Sequence, residues 1–130
     1  MKIKKLNKMI ENQYKYSKYK IIETYHKIII NGIVTNYSIS NLGNVVNDKT
    51  SRVLKPSYTS TGHTTVDVYI NGKPYKLLIH RLVAEYFCDY RDEKHHVEVH
   101  HINRKRDENF FWNLIWVSKK EHLKIHKNIA

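Results

Sequence analysis

The stretch that decides the fold runs from Val97 to His126 and reads VEVHHINRKRDENFFWNLIWVSKKEHLKIH. Two short β-rich runs flank a basic loop, and helical spacing follows the second run. Ser118, with Glu121 three residues later, is the capping-box pattern that begins a helix. We therefore predict a ββα unit. Its first strand lies over residues 96–102 and its second over residues 113–117, with a basic loop over residues 104–110 between them, and its helix covers about residues 119–127.

Four histidines and Asn113 lie along this unit at spacings that suit a metal site. His100 and His101 are adjacent, Asn113 follows the loop, and His122 and His126 lie four residues apart on one face of the predicted helix. Imidazole nitrogens bind divalent transition metals, and a neutral imidazole near its pKa can take a proton from water. The spacing therefore predicts a one-metal site that hydrolyses a phosphodiester bond.

The chemistry assigns a role to each of these side chains. We expect His100 and His122 to hold one divalent cation and His101 to be the general base. Asn113 would fix either the loop or the His101 ring, and His126 would be a third ligand or a phosphate contact. Adjacent strand residues point to opposite faces, so His100 and His101 can serve one site only if the strand bulges or ends there.

The metal is predicted from the same donor set. Two imidazoles are softer ligands than Mg²⁺ prefers, so we expect Zn²⁺, Ni²⁺ or Mn²⁺ to bind tightly and keep Mg²⁺ as a further candidate. A structural zinc domain, in which the histidines only hold the fold together, is an open alternative. Three other histidines are expected at the surface or in turns: His26, His63 and His95.

The charge of the chain indicates its partner. The 130 residues hold 23 Lys and Arg against 12 Asp and Glu, so the formal net charge is +11. Such an excess attracts polyanions, of which nucleic acid is the first candidate and an anionic membrane surface the second. We predict that nucleic acid is the partner and that five basic residues contact its phosphate backbone: Arg81, Arg104, Lys105, Arg106 and Lys119.

The single cysteine and the apolar pattern indicate the surroundings of the chain. Cys88 has no second cysteine with which to form an intrachain disulfide, and a Cys-rich zinc ribbon is excluded. A chain of this kind suits a reducing compartment, so we expect an intracellular, cytoplasmic protein. The sequence contains no apolar run of membrane-spanning length, and we expect no membrane association.

Upstream of the ββα unit, short apolar runs alternate with turn residues. Asn71-Gly72 between two β-rich runs predicts a hairpin with a type I′ turn, and residues 80–87 have helical spacing. We predict an α+β fold in which small antiparallel hairpins precede the ββα unit. Residues 1–22 are predicted to be a basic extension that is helical or flexible. Residues 23–79 would form a β-rich region, and residues 80–130 a nuclease unit that makes one compact domain with that region.

The ββα unit resembles the HNH endonuclease family, in its homing-endonuclease-like branch. Eight residues fall in the register of the family pattern: Val99, His101, Ile102, Asn109, Asn113, Leu114, Trp116 and Val117. The resemblance puts His101 at the family's general-base position, Asn113 at its middle asparagine, and His100 and His122 at its metal-ligand positions. Asn103-Arg104 stands where the family has Asp-Gly, which makes the loop stiffer and more basic.

A second resemblance lies upstream. Residues 37–45, YSISNLGNV, with Leu54-Lys55-Pro56 resemble the NUMOD4 motif that precedes such nuclease units, although Tyr25 replaces its opening Trp. Together the two resemblances imply a metal-dependent endonuclease that acts on double-stranded DNA. They also imply a monomer or weak homodimer encoded by a virus, phage or mobile element. A single site per monomer implies nicking of one strand. A DNA-binding module that kept this fold without turnover is the other alternative.

Overall fold

The computed structural model describes residues 21–89 and 92–129, in which three antiparallel sheets and two helices form the predicted α+β fold. The expected N-terminal extension lies outside the described residues except for Ile21 and Ile22. Neither described helix has the length and apolar content needed to cross a lipid bilayer.

The first sheet is a four-stranded meander in chain order. Its strands are β1 (Tyr25–Ile30), β2 (Ile33–Ser40), β3 (Val45–Asn47) and β4 (Arg52–Val53). Asn31 and Gly32 join β1 to β2 with positive φ at both positions, which is the backbone of a type I′ turn. The buried side chains of β1 and β2, led by Ile28 and Ile39, face the core.

The second sheet contains the predicted hairpin. Its strands are β5 (Ser57–Tyr58), β6 (Thr64–Ile70) and β7 (Lys73–Leu78). At Asn71 and Gly72 the φ angles are 51° and 78°, as the predicted type I′ turn requires. The chain leaves β7 directly into helix α1 (Ile79–Phe87), one residue before the predicted start.

The ββα unit follows after a loop. Strands β8 (Glu98–His101) and β9 (Leu114–Val117) pair antiparallel, and helix α2 spans Lys119–Ile129. Glu121 N donates to Ser118 Oγ at 3.1 Å and Ser118 N donates to Glu121 Oε1 at 2.9 Å, so the predicted capping box is confirmed. Asn113, predicted to begin the second strand, instead ends a 3₁₀ turn over Phe111–Asn113.

One hydrophobic cluster joins the β-rich region to the ββα unit. It includes Ile39 of the first sheet, Val68 of the second, Val83 of α1 and Trp116 of β9, all at most 1% exposed. The indole Nε1 of Trp116 donates to the carbonyl oxygen of Ala84 at 3.0 Å, which satisfies the one polar atom of this large side chain. The β8–β9 hairpin is therefore held against α1 by buried apolar surface.

Gly43, in the turn before β3, touches the loop between β8 and β9. A Cβ atom built on Gly43 would lie 3.1 Å from Asn109 Cβ and 3.2 Å from its carbonyl oxygen. Gly62 is a matched control because its φ of +87° is almost equal to the +88° of Gly43, and nothing lies within 4 Å of its added Cβ. The two positions separate backbone strain from steric contact.

We predict that Gly43→Ala lowers the free energy of unfolding by more than Gly62→Ala does. Both substitutions force a side chain into positive φ, at a cost of roughly 1–2 kcal/mol, and only Gly43→Ala adds overpacking of roughly 1–3 kcal/mol. Urea unfolding of both variants measures the difference. Equal losses would contradict the packing of Gly43 against Asn109.

Candidate active site

The two adjacent histidines lie at the end of a regular strand. His100 pairs with Ile115 and His101 with Leu114, with no bulge between them. The strand then ends because Arg104 N donates to the His101 carbonyl oxygen at 3.0 Å and closes a turn, with Arg104 at a φ of 65°. Of the two arrangements that could place both rings at one site, the strand end is the one observed.

A pocket of about 290 Å³ opens at this strand end. It brings together three of the predicted site histidines and two of the predicted phosphate contacts, together with one histidine from the β-rich region. Its lining residues are His63, Val99, His100, His101, Arg104, Arg106 and His122. Both residues of the His-His pair therefore border one pocket, although their side chains begin on opposite faces of β8.

His100 and His122, the predicted ligand pair, lie edge to face with ring centroids 5.2 Å apart. Glu98 Oε2 lies 2.7 Å from Nδ1 of His122 and fixes the orientation of that ring. This contact of a carboxylate with a histidine is typical of metal-binding imidazoles. Among the described residues, no group of three or more His, Cys, Asp or Glu side chains is arranged to hold a metal. His126 lies on α2, beyond the residues whose side chains are described.

His101, the predicted general base, is buried and held by an amide. Its Nε2 lies 2.7 Å from Asn109 Oδ1, and Asn109 Nδ2 donates to Thr64 Oγ1 at 2.8 Å. Because the amide oxygen only accepts, Nε2 carries the ring proton and Nδ1 is the nitrogen that can take one. Burial lowers the pKa of His101 more than the Asn109 hydrogen bond raises it, so the ring is neutral at pH 7.

Asn113 fixes the loop rather than the His101 ring. Its Nδ2 donates to Asn103 Oδ1 at 2.9 Å and to the Glu108 carbonyl oxygen at 2.8 Å, and its Oδ1 accepts from Asn103 N at 3.1 Å. Of the two functions expected for this amide, the structure has the loop contact. The ring contact belongs to Asn109, for which the sequence gives no role beyond its place in the family register. Glu98 was likewise not indicated by the sequence.

His63 and His80 extend the histidine cluster behind His101. His63 lies in the turn between β5 and β6, as predicted, but its ring is half-buried and stacks on His80 with centroids 4.7 Å apart. His80 is buried, 5.1 Å from the His101 ring, and its Nδ1 has no hydrogen-bond partner among the described residues. By contrast, His26 and His95 are exposed, as expected.

The predicted DNA contacts divide into two groups. Arg104 and Arg106 line the pocket, and Lys119 lines a neighbouring cavity of about 230 Å³ beside His122. Arg81 instead contacts the protein, because its Nη2 donates to the Val97 carbonyl oxygen at 3.0 Å and its guanidinium lies 5.6 Å from the Trp116 ring centroid. Lys105 is exposed on the loop.

We predict that His80 makes folding stability depend on pH between 6.5 and 4.5. Burial, then the His101 and His63 rings and Arg81, lowers the pKa of His80 to about 3, whereas an unfolded histidine titrates near 6.5. As pH falls through 6.5 the unfolded chain binds a proton that the folded chain does not, so the free energy of unfolding falls, by at most about 1.4 kcal/mol for each pH unit.

Urea unfolding of His80→Gln across this range measures the effect. The free energy of unfolding should fall less steeply with falling pH than in the parent chain, because Gln does not titrate. Part of the pH dependence should remain, because the pKa values of His63 and His101 are also lowered. Equal slopes for His80→Gln and the parent would contradict a buried neutral His80.

Comparison with known proteins identifies the relatives of this architecture. The NUMOD4 motif matches residues 18–69. The chain is 33% identical to DNA endonuclease I-HmuI of Bacillus phage SP01 over 91 residues, which are 70% of this chain and 51% of that protein. It is 31% identical to H-N-H endonuclease F-TflII of Escherichia phage T5 over 86 residues, which are 66% of this chain and 45% of that protein.

A third relative is an uncharacterized HNH endonuclease, L247, of Acanthamoeba polyphaga mimivirus, 34% identical over 112 residues, which are 83% of this chain and 27% of that protein. A solved structure of I-HmuI, described as DNA binding and cleavage by an HNH homing endonuclease, superposes with a TM-score of 0.71 at 28% identity. The match covers 84% of this chain and 59% of that one. The chain thus spans about half or less of the length of these curated relatives. It is a homologue of the HNH homing endonucleases and carries a NUMOD4 motif.

Proposed function

We propose that this chain is a metal-dependent HNH endonuclease that hydrolyses a phosphodiester bond of double-stranded DNA. The observation that carries the proposal is the His101 imidazole, which is buried, neutral and oriented by Asn109, at the edge of a pocket shared with the His100–His122 pair. The names of the relatives support the same reaction class.

His101 is assigned as the general base. Because Asn109 holds the proton on Nε2, Nδ1 can take a proton from the attacking water without a change of tautomer. The lowered pKa keeps the ring unprotonated at neutral pH. Asn109 and Thr64 position the base, and Asn113 fixes the loop that bears Asn109.

His100 and His122 are assigned as the residues that would hold one divalent cation. The donor set fits such an ion: one imidazole is oriented by Glu98, the two rings lie edge to face with centroids 5.2 Å apart, and the arginines of the same pocket would balance a phosphate. A bound divalent cation would supply a positive charge to the phosphate and to the leaving 3′-oxygen. Mn²⁺, Zn²⁺, Ni²⁺ and Mg²⁺ are the candidates, and His126 is a candidate third ligand.

Phosphate contacts are assigned to the basic residues around the pocket. Arg104 and Arg106 border it, and Lys105 and Lys119 flank it. Arg81 is assigned a structural role instead, since its guanidinium already binds Val97 and covers Trp116. One site in each chain favours a nick by a monomer over a double-strand cut. Residues 80–130 would be the nuclease unit and residues 23–79 its β-rich support, and the phage and mimivirus relatives favour a viral origin.

The structural zinc domain is disfavoured by the same geometry. A zinc ion that only holds a fold together is enclosed by four protein ligands, whereas the described residues contain no group of three candidate ligands. A binding module without turnover would not need a buried base whose tautomer is fixed. The endonuclease is therefore the better account of these contacts.

We predict that the purified chain nicks supercoiled plasmid with Mn²⁺ or Mg²⁺ and that His101→Ala lowers the rate by about 10²- to 10⁴-fold, the usual contribution of a general base. Gel assays of nicked product measure the rate, with EDTA as the metal-free control. His95→Ala, at an exposed position outside the pocket, should keep the parent rate. Equal nicking by the parent and His101→Ala would remove the assigned base.

We predict that Asn109→Asp moves the acidic limb of the pH–rate profile to higher pH. A carboxylate at this position still accepts the Nε2 proton of His101, but its negative charge stabilises the protonated ring and raises the pKa of His101. Asn109→Leu cannot accept a hydrogen bond from His101 Nε2 and should lower kcat at every pH. The dependence of kcat/KM on pH distinguishes the two, and an unshifted limb in Asn109→Asp would exclude Asn109 as the partner of the base.

A further inference from the structure

The turn between β5 and β6 forms one wall of the site, although it belongs to the β-rich region. Arg106 Nη1 donates to the Thr61 carbonyl oxygen at 2.6 Å, and Asn109 Nδ2 donates to Thr64 Oγ1 at 2.8 Å. Within the turn, Gly62 N donates to the Thr59 carbonyl oxygen at 3.0 Å. These contacts fix the turn against the loop that bears Arg106 and Asn109, so a side chain between them has a defined position in the pocket.

His63 is the side chain of this turn that borders the pocket. Its ring stacks on His80 at 4.7 Å with an interplanar angle of 27°, and its centroid lies 5.9 Å from that of His101. The backbone N of His63 donates to Thr59 Oγ1 at 3.1 Å. The ring is therefore held both by stacking and by its own turn.

The hydrogen bonds of His63 leave one ring nitrogen for a ligand. Nδ1 lies 2.9 Å from Thr61 Oγ1, which in turn lies 3.0 Å from Thr59 Oγ1. Nε2 has no hydrogen bond to a described residue. When the Thr61 hydroxyl donates to Nδ1, Nε2 carries the ring proton and is a donor. Burial, then Arg106, lowers the pKa of His63, so the ring remains a neutral donor at pH 7.

We propose that His63 is a further substrate-contacting residue, which donates a hydrogen bond from Nε2 to a phosphate oxygen of DNA in the pocket. The proposal rests on the proposed function for the nature of the substrate. A donor is the group that a phosphate oxygen requires, and Arg104 and Arg106 border the same pocket with positive charge. His63 would thus make the β-rich region part of the substrate site as well as its support.

Two substitutions separate hydrogen bonding from packing. His63→Gln keeps an amide donor near the position of Nε2 but loses the aromatic stack on His80. His63→Phe keeps an aromatic ring on His80 but has no donor. His95→Gln, exposed and outside the pocket, is the control. For each variant, kcat and KM for nicking, the Kd for duplex DNA in EDTA and the thermal unfolding midpoint are measured.

We expect His63→Phe to lower kcat/KM by about 10- to 100-fold, the effect of removing a hydrogen bond to a charged group, and to weaken DNA binding in EDTA. His63→Gln should stay within about threefold of the parent in both assays. A parent-like His63→Phe, or equal losses in the two variants, would overturn the proposal. If the parent chain did not nick DNA but binding still fell in His63→Phe alone, the proposed function would fail and the contact by His63 would stand.

Discussion

The hydrogen-bonded bridge from His101 through Asn109 to Thr64 joins the chemistry of the site to the fold. One buried amide accepts from the imidazole and donates to a strand hydroxyl, so the Asn109 amide that fixes the tautomer of His101 is itself held by a residue of the second sheet. Asn109 is 5% exposed, and removing either partner would leave a buried polar group unsatisfied, at a cost of about 1–3 kcal/mol. The close approach of Gly43 to Asn109 brings the first sheet into the same contact. The site therefore depends on packing between regions distant in sequence.

Much of this arrangement could be predicted from local sequence. The Asn71-Gly72 turn and the Ser118–Glu121 capping box are local features, in which the residues that specify the geometry are the ones that adopt it. The adjacency of His100 and His101 indicated either a bulge or a strand end, because two neighbouring side chains reach one pocket only there, and the strand end is the arrangement observed. These inferences required no knowledge of long-range packing.

The partners of the site histidines could not be predicted in this way. Asn109 and Asn113 are both amides of one loop, and only the path of that loop decides which one meets His101. Thr64 lies 45 residues before its partner Asn109, and His63 lies 38 residues before His101, so no spacing rule connects them. The contacts of Arg81 with Val97 and Trp116 span 16 and 35 residues of sequence, so they were not indicated either. Sequence reasoning is weakest where tertiary contact, rather than local pattern, determines the partner.

The two site histidines assigned to different tasks have chemically different partners, and the difference fits the tasks. His122 is bound by the carboxylate of Glu98 and His101 by the neutral amide of Asn109. A carboxylate increases the electron density of the imidazole, which strengthens a metal ligand. Beside a general base the same charge would stabilise the protonated ring and leave less neutral base at pH 7, whereas an amide fixes the tautomer without adding charge. An acid at residue 98 and an amide at residue 109 would thus separate the proposed metal ligand from the proposed base within one small pocket.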